Sequence, residues 1–89
     1  MFADSKSLLA GDLFFHYRQD STPALGLVVS RKYGNAVQRH LLKRRCRTQF
    51  QKMKNLGFTY SIIVSPKKSN LGWVEIKSSF NQLLAQLHV

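Results

Sequence analysis

Acidic residues are scarce in this chain: four Asp and Glu stand against fourteen Lys and Arg in 89 residues, for a formal charge of +10. That scarcity bears first on catalysis. A nuclease that works through two metal ions gathers several carboxylates, because each divalent ion needs oxygen ligands and the pair clamps the reacting phosphate. Here Asp4, Asp12 and Asp20 are spread over the N-terminal part, and Glu75 stands where a C-terminal helix opens, a position the helix dipole favours for an acid. Cysteine is single, so Cys46 cannot close an intrachain disulfide. With no signal-peptide pattern ahead of the domain, the expected compartment is the cytoplasm. Long apolar runs are missing as well: Leu25 to Val29 and Ile62 to Val64 fall far below the roughly 20 residues of a spanning helix. Histidine is sparse, and His16, His40 and His88 have neither an i, i+4 pairing nor a cysteine companion, which argues against zinc.

What the chain does have is segregated positive charge. Between Ser21 and Val74 there are eleven Lys or Arg and no acid, and seven of those cations lie between Arg31 and Arg47. They alternate with apolar residues and a Gly34-Asn35 turn signal, the pattern of a folded basic face and not of a disordered arm. Such an imbalance costs folding energy through self-repulsion and suits a polyanionic partner, nucleic acid above all. At this length, with 44% hydrophobic residues, residues 1–89 should form a single RNA-binding domain around one modest core.

Leu13 to Tyr17 is aromatic-rich and follows Gly11, which suits a strand. After the turn-prone Asp20-Ser21-Thr22-Pro23, Leu25 to Ser30 reads as another strand, ended by Gly34-Asn35. From Ala36 to Lys54 the period becomes helical: Leu42, Cys46, Phe50 and Met53 form one stripe toward the core. Neighbouring arginines could lower the Cys46 thiol pKa, but its place in the stripe makes it a small core residue. Arg39, Lys43 and Arg47 repeat beside the stripe, and His40 with Arg44 form a second row, so these cations share a ridge suited to phosphate contact. Gly57 is a stop signal. Phe58 to Val64 predicts a strand and Ser65 to Asn70 a loop. Ile76, Phe80, Leu83, Leu84 and Leu87 predict a final amphipathic helix. The order strand, strand, basic helix, strand, helix implies an α+β sandwich with a small mixed sheet and helices packed on one face. Alternation along the first strand permits Phe14 and His16 to point to the open face as a stacking surface.

The stretch Leu25-Gly26-Leu27-Val28-Val29-Ser30-Arg31-Lys32-Tyr33-Gly34-Asn35-Ala36-Val37-Gln38-Arg39-His40-Leu41-Leu42-Lys43-Arg44-Arg45-Cys46-Arg47 resembles the signature of the bacterial ribonuclease P protein component. Two positions depart from it: His40 stands where asparagine is usual, and Leu41 replaces an arginine. The resemblance implies a left-handed βαβ crossover through Gly34-Asn35, against the usual hand. It also implies a non-catalytic protein subunit that binds a catalytic RNA and the 5′ leader of precursor tRNA, while the RNA, which holds most of the Mg²⁺, cuts the phosphodiester. On this reading the RNA-binding set is Arg31, Lys32, Asn35, Arg39, His40, Lys43, Arg44 and Arg47. Phe2, Phe14 and His16 fall where the family has its leader-binding aromatic cleft. The family's first helix is largely missing, so the chain looks short at its N-terminus. Two other readings compete. A general RNA-binding or ribosomal-type protein would bind RNA with no role in tRNA processing. A membrane-docking basic helix would need the Leu42 to Met53 stripe outside the core, so no membrane partner is expected.

Overall fold

The structure, a computed structural model, describes residues 6–87. Its elements run β1 (Lys6–Ala10), β2 (Leu13–Gln19), β3 (Leu25–Leu27), a 3-10 turn (Arg31–Tyr33), α1 (Ala36–Asn55), β4 (Tyr60–Pro66) and α2 (Trp73–Leu87). They form one mixed sheet in the order β1-β2-β4-β3. β2 is antiparallel to both β1 and β4, and β3 runs parallel to β4, with α1 as the connection between them.

The sequence pattern did not predict β1, because Lys6-Ser7-Leu8-Leu9-Ala10 has neither β-branched nor aromatic residues. The strand forms because the Gly11-Asp12 turn folds it back on β2, with Ala10 opposite Leu13. Gly11 takes φ +59 and Asp12 does not share the positive sign, as in a two-residue II′ hairpin. A Cβ on Gly11 would also lie 2.5 Å from the Ser79 hydroxyl oxygen. That closeness lets the hairpin tip bond to α2: the Gly11 N–H donates to Gln82 Oε1 (3.1 Å) and the Asp12 N–H to Ser79 Oγ (3.0 Å).

β3 is shorter than the expected Leu25 to Ser30. Val28 N–H still donates to the Val64 carbonyl (2.9 Å), but the chain then turns so that Tyr33 is buried with its hydroxyl accepting from Leu71 N–H (3.2 Å). β4 begins two residues later than the pattern suggested because Phe58 is taken by the end of α1. Phe58 N–H donates to the Met53 carbonyl and Gly57 N–H to that of Lys54, both at 3.0 Å, with Gly57 at φ +92, a Schellman stop. The strand also continues through Ser65 and Pro66, opposite Phe14 and Leu13. Pro66 is tolerated there because a proline at a strand end removes no interior ladder bond.

Both helices cover one sheet face. Leu13 and Phe15 of β2 and Ile62 and Val64 of β4 alternate inward, meeting Leu42, Cys46, Phe50 and Met53 of α1 and Ile76, Phe80 and Leu83 of α2. Phe15 meets Phe80 edge to face at 5.3 Å. Each such fully buried side chain contributes about 1.5–3 kcal/mol relative to exposure, so this cluster holds the sandwich together. The predicted helical stripes are the ones observed, with Leu84 and Leu87 half-buried at the margin. Among the described residues, no helix is long and apolar enough to cross a membrane.

Candidate nucleic-acid interface

The basic helix starts on a reciprocal cap. Asn35, extended at φ −72 and ψ 176, accepts on Oδ1 from Gln38 N–H (2.9 Å), while its own N–H donates to Gln38 Oε1 (2.8 Å). A Cβ on Gly34 would run into the Gln38 side chain, so a larger residue there would disturb the reciprocal cap. Arg39 Nη1 donates to the Gly34 carbonyl at 2.7 Å, which fixes the first cation of the helix against its own entry turn. No acid occupies the first turn of α1. The positive end of the helix dipole is therefore left uncompensated, a favourable place for an anion.

From this start the cations fall in register. Arg39 and Lys43, half-buried, and Arg47, exposed, line one flank of the core stripe, while His40 and Arg44 are exposed on the outer face. None of the α1 cations has a carboxylate partner among the described residues; the ion pairs there are Arg18 with Asp20 (3.7 Å) and Lys68 with Asp12 (3.5 Å). Arg31 and Lys32 are exposed on the 3-10 turn between β3 and α1, at the corner where the ridge meets the sheet.

The face of the sheet away from the helices is open. Phe14 is 43% exposed and Leu9, opposite it on β1, 41%. His16 lies two residues along, between Ser7 of β1 and Ile63 of β4. Beyond β4 the Ile63 side chain leans over Gly26, where a Cβ would come 3.2 Å from Ile63 Cγ1, and Val28 beyond it is 61% exposed. The result is a partly apolar surface across the strands, bordered on the β3 side by the turn that leads into α1. Of the sequence-predicted residues, the structure thus brings Phe14 and His16 to one sheet face. It places Arg31, Lys32, Arg39, His40, Lys43, Arg44 and Arg47 on the α1 ridge and its entry. Asn35 sits at the ridge's origin, its side-chain oxygen engaged in the cap. Phe2 lies outside the described residues.

The described acids serve local structure. Asp20 accepts from Thr22 N–H (3.1 Å) and from the Ser61 hydroxyl (3.0 Å). Those two bonds, the Thr22 amide first, hold its carboxyl below the usual value. Glu75 Oε1 accepts from Gly72 N–H at 2.8 Å and caps α2. Asp12 sits in the β1–β2 turn and meets Lys68. Among the described residues, no group of three or more His, Cys, Asp or Glu comes together that could hold a metal ion. Cys46 has no exposed surface, and burial pushes its thiol up to about 12.

Sequence reasoning passed over Arg45, which lies on the opposite flank of α1 with its guanidinium 6.0 Å from the Trp73 ring centroid. Lys77 approaches the same ring at 5.9 Å. The i, i+4 spacing of Trp73 and Lys77 on a helix was the available signal.

A capped basic helix laid against an open-faced mixed sheet defines a class of small basic α+β proteins with a cationic ridge beside a sheet face that exposes apolar side chains. A family profile described as Ribonuclease P matches residues 1–88, and the chain belongs to that family. It is 37% identical over 65 residues to the ribonuclease P protein component of Helicobacter acinonychis (strain Sheeba), covering 71% of this chain and 42% of that protein. To the component of Acholeplasma laidlawii (strain PG-8A) it is 29% identical over 89 residues, covering 94% and 77%. The chain spans less than half the length of the Helicobacter relative and 57% of that from Phytoplasma australiense. Among solved structures, it superposes on the RNase P protein from Thermotoga maritima with a TM-score of 0.77 at 27% identity, covering 94% of this chain and 84% of that one. A Staphylococcus aureus RNase P protein mutant gives 0.81 at 25% identity, covering 97% and 77%.

Proposed function

We propose that this chain is the protein subunit of ribonuclease P: the α1 ridge binds the catalytic RNA, and the open sheet face holds the 5′ leader of precursor tRNA. The observation that carries this reading is the pairing of an acid-free cationic ridge on α1 with an exposed Phe14 and a neighbouring His16 on the free side of the sheet. Phosphates satisfy the ridge, each neutralised cation releasing counterions. Unpaired leader bases stack on Phe14 and His16, at about 1–3 kcal/mol per aromatic contact.

The donor set argues for where the chemistry sits. Asp12, Asp20 and Glu75 are each committed to a turn, an ion pair or a cap and do not converge, so the described residues do not fit a Mg²⁺ site. On this reading Mg²⁺ is held mainly by the RNA partner, where it would supply charge stabilisation for phosphodiester cleavage. This chain's residues bind and orient. The role lies in the cytoplasm, where precursor tRNA and the catalytic RNA meet.

Reconstituted cleavage of precursor tRNA by the catalytic RNA, with and without this protein at limiting Mg²⁺, tests the proposal. The expected result is a lower Mg²⁺ requirement and a preference for leader-bearing over mature tRNA in competition. RNA binding without either effect identifies a general RNA-binding protein instead.

A further inference from the structure

On the flank of α1 opposite the ridge, Trp73, the single tryptophan of the chain, stands half-buried at the start of α2. Arg45 and Lys77 both lie within about 6 Å of its ring centroid. Here two like charges are held within about 12 Å of each other, and neither has a carboxylate partner among the described residues. The acid nearest in sequence, Glu75, has Oε1 engaged with the Gly72 amide. A phosphate entering between the cations attracts both and offsets their mutual repulsion.

We propose that Trp73, Arg45 and Lys77 form a second RNA-binding site, in which the two cations gathered at the indole take backbone phosphates of single-stranded RNA. The site rests on the reading of the chain as an RNA-binding subunit, but it is separate from the ridge: Arg45 lies about 160° around the helix from Lys43 and Arg47. RNA held on both flanks would embrace α1 from two sides. Exposed Leu41, at a position where the family resemblance places an arginine, lies between the two flanks and leaves a gap in the charge there.

The lone tryptophan makes the test direct. Titrating the folded chain with single-stranded oligouridylate should change Trp73 emission saturably and protect it from acrylamide, with a midpoint that rises with salt. Arg45→Gln and Lys77→Gln should each weaken binding about threefold or more and make the salt slope shallower by somewhat under one unit. Trp73→Phe keeps an aromatic core contact and should weaken binding less than Trp73→Ala. Arg44→Ala in the same assay reports the ridge, and its loss should add to that of Lys77→Gln, as for separated sites. If RNA binds by anisotropy while emission and the affinities of Arg45→Gln and Lys77→Gln stay at wild-type values, the second site is overturned and the ridge stands. If wild type binds no RNA, both readings fall together. Emission that responds to phosphatidylglycerol vesicles at physiological ionic strength but not to RNA overturns the site in favour of a lipid surface.

Discussion

Gln49 shows how much one atom matters. It is 7% exposed on the core side of α1, and its Nε2 has no hydrogen-bond partner among the described residues. A buried donor left unmade costs about 1–3 kcal/mol. Gln49→Met keeps the length, removes the donor and should raise stability by about 1 kcal/mol in urea denaturation at unchanged m-value. Cys46 poses the opposite case: a thiol pushed up to about 12 by burial should resist thiol reagents in the native state and react only as fast as the protein opens. On the ridge, Arg44→Ala should leave the fold intact and flatten the salt dependence of RNA binding by somewhat under one unit. Arg39→Ala should act on both binding and stability, because Arg39 also bonds the Gly34 carbonyl.

At the scale of the element, α1 depends on its first turn. Asn35→Ala removes the acceptor for Gln38 N–H and should cost about 1 kcal/mol, read as a lower thermal midpoint with RNA contacts elsewhere unchanged. This is also where the limits of legibility show. The α1 stripe was readable because Leu42, Cys46, Phe50 and Met53 contrast sharply with their cationic neighbours at a 3.6 period, and Gly57 marks the end. Asn35 with Gln38 three residues on is a capping-box pattern, equally readable. β1 was hidden because its residues carry little strand propensity and its existence depends on the Gly11-Asp12 turn docking against Ser79 and Gln82, some seventy residues away. The exposure of Phe14 followed from alternation alone. The meeting of Arg45 with Trp73 did not, since it rests on how two helices pack and no local rule reaches across 28 positions.

For the whole molecule, charge sets the response to conditions. A net +10 repels itself, so a bound polyanion should stabilise by mass action: RNA at about 100 times its dissociation constant adds about 2.7 kcal/mol, visible as a raised thermal midpoint. Acid works the other way. The Asp20 carboxyl is held below its unfolded value, so its contribution is full above the unfolded pKa and is lost as pH falls through the lower, folded one. Asp20→Asn should therefore flatten the acid limb of a stability–pH curve below about pH 4 while leaving its neutral limb with the same slope.

Sheet order carries a consequence for biosynthesis. β4 is the central partner of both β2 and β3, yet it is made after them, with the whole basic helix emerging from the ribosome in between. Until Tyr60–Pro66 arrives, β3 has no neighbour and β2 has only β1, so the nascent chain exposes its cations before it has a sheet to set them on. Nascent chains arrested before Tyr60 should therefore be protease-sensitive, and resistance should appear only once β4 has cleared the exit tunnel. The keystone comes late, so binding competence is a property of the finished molecule.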